Sequence, residues 1–155
     1  MKIEIWWTGK TFQDFTQKGY TEFIGRIRKF TAIDIVEFPE TKGISQPAQQ
    51  KSAEADKILA KLKNDDFLVL LDEKGKTFNS VEFADFIEKK ATHSTKKMVF
   101  LIGGAYGFDE RLYERANDKL SLSRMTFSHQ LIRLIFMEQL YRAYTIIHHF
   151  PYHNE

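Results

Sequence analysis

Two short runs constrain this chain more than any other feature: Phe67-Leu68-Val69-Leu70-Leu71 and Met98-Val99-Phe100-Leu101-Ile102. Neither alternates with polar residues, so each needs cover on both faces. Inner strands of a parallel sheet receive that cover from helices packed above and below. Each run is closed by turn chemistry, Asp72-Glu73-Lys74-Gly75-Lys76 after the first and Gly103-Gly104-Ala105-Tyr106-Gly107 after the second.

The remaining segments alternate between the two periods that mark strands and helices. Residues 2–8 read as a first strand. A helix capped by Thr11 follows, with Phe12, Phe15, Tyr20, Phe23, Ile24, Ile27 and Phe30 at helical spacing. Gly19 and Gly25 weaken that helix and point to close packing against a neighbour. Residues 32–38 form a second strand, and Pro47 opens a mostly polar outer helix that runs to about Lys63. Further helices are expected over 80–91, 109–117 and 128–148, with a short strand at 120–123. This βα alternation predicts an α/β fold in one domain spanning 1–155.

Composition narrows the function classes. The chain has no cysteine, which removes disulfides, thiolate metal sites and cysteine nucleophiles. Its start, Met1-Lys2-Ile3-Glu4, places an acid where a signal peptide needs an apolar run, and no run approaches a membrane span; a cytoplasmic protein without membrane contact is expected. Lys and Arg number 23 against 21 Asp and Glu, a net charge of +2 that makes no general nucleic-acid stripe. Fourteen phenylalanines point to a core or interface rich in aromatic area.

Several motifs bear on chemistry. Thr8-Gly9-Lys10-Thr11 copies the end of a phosphate loop, but Glu4 stands where that loop needs glycine, so an ordinary strand-to-helix turn is expected. The 103–107 loop follows a buried strand, where open α/β sheets bind ligands; a ligand cradle and a plain tight turn both fit it. Residues 121–127 offer backbone donors and acceptors suited to an adenine beside an apolar surface. The last helix carries almost no polar face, so one side is expected on the sheet and the other against a second subunit. Its Glu138 and Arg142 stand four apart in the favourable order, as a surface pair or a functional one. His129 and Arg133 share a face beside the 122–127 segment. His148, His149 and His153 lack metal-ligand spacing, and no metal site is expected. Ser123 and Ser128 lie in no nucleophile elbow.

The glycine loop and the last thirty residues together resemble a known family. The residues are Ile102 to Gly107, then Leu120-Ser121-Leu122-Ser123-Arg124-Met125-Thr126-Phe127-Ser128-His129-Gln130-Leu131-Ile132-Arg133, Glu138-Gln139-Leu140-Tyr141-Arg142-Ala143 and Pro151-Tyr152-His153. They resemble the RlmH family of large-subunit rRNA pseudouridine-N3 methyltransferases, in the SPOUT superfamily, over essentially the whole chain. The resemblance implies a SPOUT-type sheet with helices on both faces and a C-terminal trefoil knot, which no periodicity would predict. It implies a homodimer that uses S-adenosyl-L-methionine to methylate a pseudouridine in helix 69 of the assembled ribosome's large-subunit rRNA.

Carried over by position, the cofactor contacts fall at Leu71, Gly103 and Leu122, Ser123, Arg124, Met125, Thr126 and Phe127. His153 is expected as base or proton relay, Tyr152 as the residue that positions the target, and Arg142, held by Glu138, as stabiliser of charge on the base carbonyls. His129 and Arg133 are expected at the substrate or the interface. The chain departs from the family pattern at Asn154, where relatives carry a basic residue, and at Ser128, where they carry proline. Two other readings stand beside this one: a SPOUT enzyme with another target atom, and an inactive ribosome-binding module.

Overall fold

A computed structural model describes residues 1–154. Five strands, β1 (Lys2–Thr8), β2 (Ile33–Phe38), β3 (Phe67–Thr77), β4 (Lys97–Ile102) and β5 (Asp118–Ser121), form one sheet in the order β2-β1-β4-β3-β5. Every pairing is parallel. Five helices connect and follow them: α1 (Asp14–Ile27), α2 (Pro47–Lys61), α3 (Ser80–Thr92), α4 (Glu110–Arg115) and α5 (Leu131–Ile147). None is long and apolar enough to cross a membrane among the described residues.

The two apolar runs become β3 and β4, adjacent and inner, as their composition requires. Strand alternation then divides the core into two layers. Val69, Leu71, Phe100 and Ile102 face α1, α3 and α5, together with Phe136, Met137 and Leu140 of the last helix. Leu68, Leu70, Val99 and Leu101 face the other layer, with Ala55 and Ile58 of α2 and Leu112 of α4. The neighbours Trp6 and Trp7 are both buried because each serves a different layer. Each indole N–H finds a carboxylate, Glu4 at 2.8 Å for Trp6 and Glu37 at 3.2 Å for Trp7.

Four local expectations are corrected. Helix α1 begins at Asp14 behind Gln13 rather than under a Thr11 cap. The Thr11 hydroxyl is engaged by Arg133 and Tyr20 instead. Phe12 and Phe15 therefore lie outside the buried stripe and are 71% and 62% exposed. The helix α5 begins at Leu131, because residues 128–130 make a turn in which the Ser128 hydroxyl accepts the Leu131 N–H.

The fourth correction positions the site. The polar segment after Leu71 does not end the strand; β3 continues to Thr77. Leu71 and Lys76 both pair with Leu120 of β5, so residues 72–75 bulge out between two pairings to a single partner. Only glycine fits at the foot of this bulge. A Cβ on Gly75 would stand 2.7 Å from Leu120 N and 2.7 Å from Lys119 C.

The last helix is nested between α1 and α3 on the sheet. Its flanks are covered by its own chain more fully than its lack of a polar face implied. Gly19 of α1 meets Leu134 of α5 closely, whereas nothing lies within 4 Å of Gly25.

Candidate functional site

The bulge in β3 and the C-terminal ends of β4 and β5 open into one cavity of about 570 Å³. That size lies within the range of roughly 300–1,000 Å³ usual for small-molecule sites. Leu71, just before the β3 bulge, forms the cavity floor; Ile102 ends β4 with Gly103 directly after it, and Leu120 and Ser121 end β5. The segment after β5 folds over the same space: Leu122, Ser123, Met125, Thr126 and Phe127 all line it. Of the eight residues expected to hold the cofactor, Arg124 alone is outside the lining, exposed to solvent.

Glycine chemistry shapes two walls. A Cβ on Gly103 would stand 3.0 Å from the Phe108 ring, so this position lets the turn close on Phe108. Gly104 and Gly107 bridge across the turn that follows, and Gly107 takes a positive φ of 78°. The opposite wall is stiffened by serine. The Ser121 hydroxyl donates to Ser123 O at 2.9 Å, and the Ser123 hydroxyl accepts Met125 N–H at 2.9 Å. Neither serine hydroxyl is arranged as a nucleophile.

Sequence reasoning missed part of the lining. Asp72, in the β3 bulge, and Tyr113, from α4, face the cavity and bond to one another at 2.5 Å. Burial raises the Tyr113 pKa far above its ordinary value, with Asp72 adding to the rise. The phenol is therefore a fixed donor. The bulge that brings Asp72 here depends on a pairing across about fifty residues, which no local pattern announces.

His129 lines the cavity as an exposed side chain. Arg133 does not share that role. It is 2% exposed, its Nη1 donates to Thr11 Oγ1 at 2.9 Å and its Nη2 to Thr8 O at 3.1 Å. Its guanidinium lies 4.7 Å from the centroid of the Trp7 ring. Arg133 ties α5 to the 8–11 turn and is enclosed by its own chain. Gln130 reinforces this tie, accepting from Phe12 N at 3.0 Å and donating to Lys10 O at 3.1 Å.

The four residues expected to be catalytic form one cluster. Glu138 Oε1 accepts from Arg142 Nη2 at 2.5 Å and from Tyr152 OH at 3.0 Å. Arg142 Nη1 lies 3.3 Å from His153 Nδ1, and its guanidinium covers the Tyr152 ring at 4.9 Å. Arginine offers no acceptor, so His153 Nδ1 is the acceptor in this contact. Burial raises the Tyr152 pKa, and the Glu138 carboxylate raises it further. None of the four lines the cavity of the same chain. Ile132, which does, precedes Arg142 by ten residues on α5, about 15 Å along the helix axis.

Residues 1–153 match the family described as "Predicted SPOUT methyltransferase". The chain is 45% identical to a ribosomal RNA large subunit methyltransferase H of Parabacteroides distasonis, with 100% of both chains covered. It is 46% and 47% identical to proteins of the same name from Bacteroides thetaiotaomicron and Phocaeicola vulgatus, again over the full length of both. Full-length similarity at this level places the chain in the SPOUT methyltransferase family, among the proteins called ribosomal RNA large subunit methyltransferase H.

Proposed function

We propose that this protein transfers a methyl group from S-adenosyl-L-methionine to N3 of a pseudouridine in helix 69 of large-subunit (23S) rRNA, acting as a cytoplasmic homodimer on the assembled ribosome. The observation that carries the reading is the cavity of about 570 Å³ in which Leu71, Gly103 and five residues of 122–127 converge. Its fit to the donor rests on three properties. Leu71, Leu122, Phe127 and Ile132 give apolar area for an adenine, the glycine turn admits close backbone approach, and Asp72 offers a carboxylate to a cationic ligand. The rRNA substrate is supported by the names of the full-length relatives.

The donor supplies an electrophilic methyl carbon on a cationic sulfur, whose carbon–sulfur bonding pair stays with sulfur as a neutral thioether when N3 takes the methyl. The imide N3 also loses a proton, and in this reading His153 Nδ1 receives it. Arg142 occupies that nitrogen in the free enzyme. Its turn toward the carbonyl oxygens of the target would both stabilise their developing charge and release Nδ1 to accept. Glu138 holds Arg142 and Tyr152 in register for this exchange. Acid–base demands are modest, so positioning supplies much of the acceleration.

Glu138 and Arg142 stand six and ten residues beyond the cavity-lining Ile132 on α5, about 9 and 15 Å along the helix axis. This separation argues for a dimer in which one copy presents its tail to the other's cavity. The half-buried outer stripe of α5, including Leu131, Ile135 and Ile146, and the exposed Phe12 and Phe15 supply apolar area for that contact. Two copies also pool Lys10, Lys18, Arg26, Arg28 and Lys29, which a net charge of +2 per chain makes necessary for RNA. Recognition of assembled ribosomes over free RNA follows from that low charge. The trefoil knot belongs to the same reading and rests on the resemblance to the family alone.

The test is to incubate unmodified and pseudouridylated ribosomes with methyl-labelled donor and map the labelled nucleoside. Label at N3 of a helix 69 pseudouridine, and none on ribosomes lacking it, is expected. Label on a ribose, or equal label on both substrates, overturns the assignment.

A further inference from the structure

We propose that Asp72 is the counter-charge for the cationic methionine end of the methyl donor, and that Tyr113 is the positioning residue that holds its carboxylate. The proposal rests on the donor-binding reading of the cavity given above and deepens it.

Four charged or titratable side chains other than tyrosine line this cavity: Asp72, Glu73, Lys74 and His129. Glu73, Lys74 and His129 are exposed, so water screens them; Asp72 is half-buried. Its two oxygens are fixed by neutral donors, Lys74 N–H on Oδ1 at 2.9 Å and Tyr113 O–H on Oδ2 at 2.5 Å. Among the described residues it forms no ion pair within 4 Å with a lysine, arginine or histidine (the Lys119 ammonium nearby sits 5.8 Å from the Tyr113 ring centroid). A carboxylate drawn partly out of water without a cation is costly unless a charge arrives to meet it.

The arrangement that holds it there is elaborate for a surface residue. Asp72 is the first residue of the bulge, reached directly from the floor residue Leu71, and the bulge is closed by Gly75 against the backbone of β5. Tyr113 is itself steadied by an edge contact with Phe108 at 5.8 Å, the ring on which Gly103 closes. One aspartate is thus fixed by β3, the glycine turn and α4 together. The donor carries a sulfonium and an ammonium; its demethylated product keeps only the ammonium. Facing the sulfonium, Asp72 favours substrate over product; facing the ammonium, it holds both.

The experiment is calorimetric titration of the full chain with three ligands: S-adenosylmethionine (sulfonium, ammonium and carboxylate), S-adenosylhomocysteine (ammonium and carboxylate) and 5′-methylthioadenosine (none of the three). For Asp72→Asn, which keeps the size and an acceptor, affinity for S-adenosylmethionine should fall about ten- to hundredfold, while 5′-methylthioadenosine changes less than about twofold. Loss of S-adenosylhomocysteine binding in parallel identifies the ammonium as the partner, and its retention identifies the sulfonium. Tyr113→Phe keeps the charge but frees the carboxylate, and should give a smaller loss for S-adenosylmethionine with the neutral ligand again unaffected. In the unsubstituted protein, added salt should weaken S-adenosylmethionine and leave 5′-methylthioadenosine unchanged. Equal losses for all three ligands would make Asp72 a structural residue, and no loss for any would remove it from the site; either result overturns the proposal. Failure of the unsubstituted protein to bind any of the three instead overturns the donor-binding reading itself.

Discussion

Replacing Gly75 by alanine should damage this fold far more than its surface location implies. The added Cβ would meet three backbone atoms of β5, Leu120 N and Lys119 C at 2.7 Å and Leu120 C at 2.8 Å. Comfortable contact needs about 3.5 Å. No side chain can swing aside, so the strand pairing that ties Leu71 and Lys76 to Leu120 must open. Overpacking of this kind costs about 1–3 kcal/mol, and the loss of pairing puts this case at the upper end. Restricting the unfolded chain returns only about 0.4–1 kcal/mol. The net is a loss of roughly 2 kcal/mol, which lowers Tm by about 4–8 °C for a chain of this length. Gly25→Ala is the control, since nothing lies within 4 Å of it on the polar outer side of α1. That change should raise stability by about 0.5–1 kcal/mol. Thermal and urea unfolding at one fixed protein concentration would measure both, since concentration shifts Tm in an oligomer. If Gly75→Ala were as stable as the parent, the bulge would not be packed on β5 as described.

Other outcomes follow from the same structure. Arg133→Lys keeps the charge but loses the fork that reaches both Thr8 and Thr11 and the stack on Trp7, so urea unfolding should register a loss of about 1–3 kcal/mol. Burial, and then the Glu40 carboxylate, raises the Glu54 pKa, which Lys57 partly opposes. A carboxyl with a raised folded pKa is stabilising only while protonated, so this penalty grows as pH rises from the ordinary Glu value of about 4.3 through the folded pKa. Glu54→Gln should accordingly raise Tm at pH 7, with the gain vanishing below about pH 4. His153→Ala should abolish methyl transfer while leaving donor affinity within about twofold of the parent, measured by calorimetry. On the proposed dimer arrangement, mixing that variant with a cavity variant such as Gly103→Leu should restore activity, because one copy then keeps an intact cavity and the other an intact tail.

Much of this architecture is written in local patterns, and the exceptions share one cause. The unbroken apolar runs at 67–71 and 98–102 announce inner parallel strands because no other neighbourhood tolerates them. Glycines straight after such a strand mark the cavity for a similar reason. The helix α3 even carries a readable start, since Asn79 and Glu82 form a reciprocal cap. What escaped reading depends on distant partners. The 72–76 segment has turn composition, yet pairing with β5 draws it into a strand. Arg133 has the charge of a surface residue, yet Thr8, Thr11 and Trp7 enclose it. Phe12 and Phe15 keep helical spacing, but the helix starts two residues after Phe12, and neither ring reaches the core. The residues expected to be catalytic do assemble into one cluster, but no sequence pattern revealed its distance from the cavity.

The most direct test of the account is a crystal structure of the protein soaked with S-adenosylmethionine. The adenosyl group should lie between Leu71 at the β3 bulge, Gly103 after β4, and the 122–127 segment, with its methionine end toward Asp72. A cavity that stays empty at saturating donor, or a donor bound elsewhere on the chain, would contradict the account.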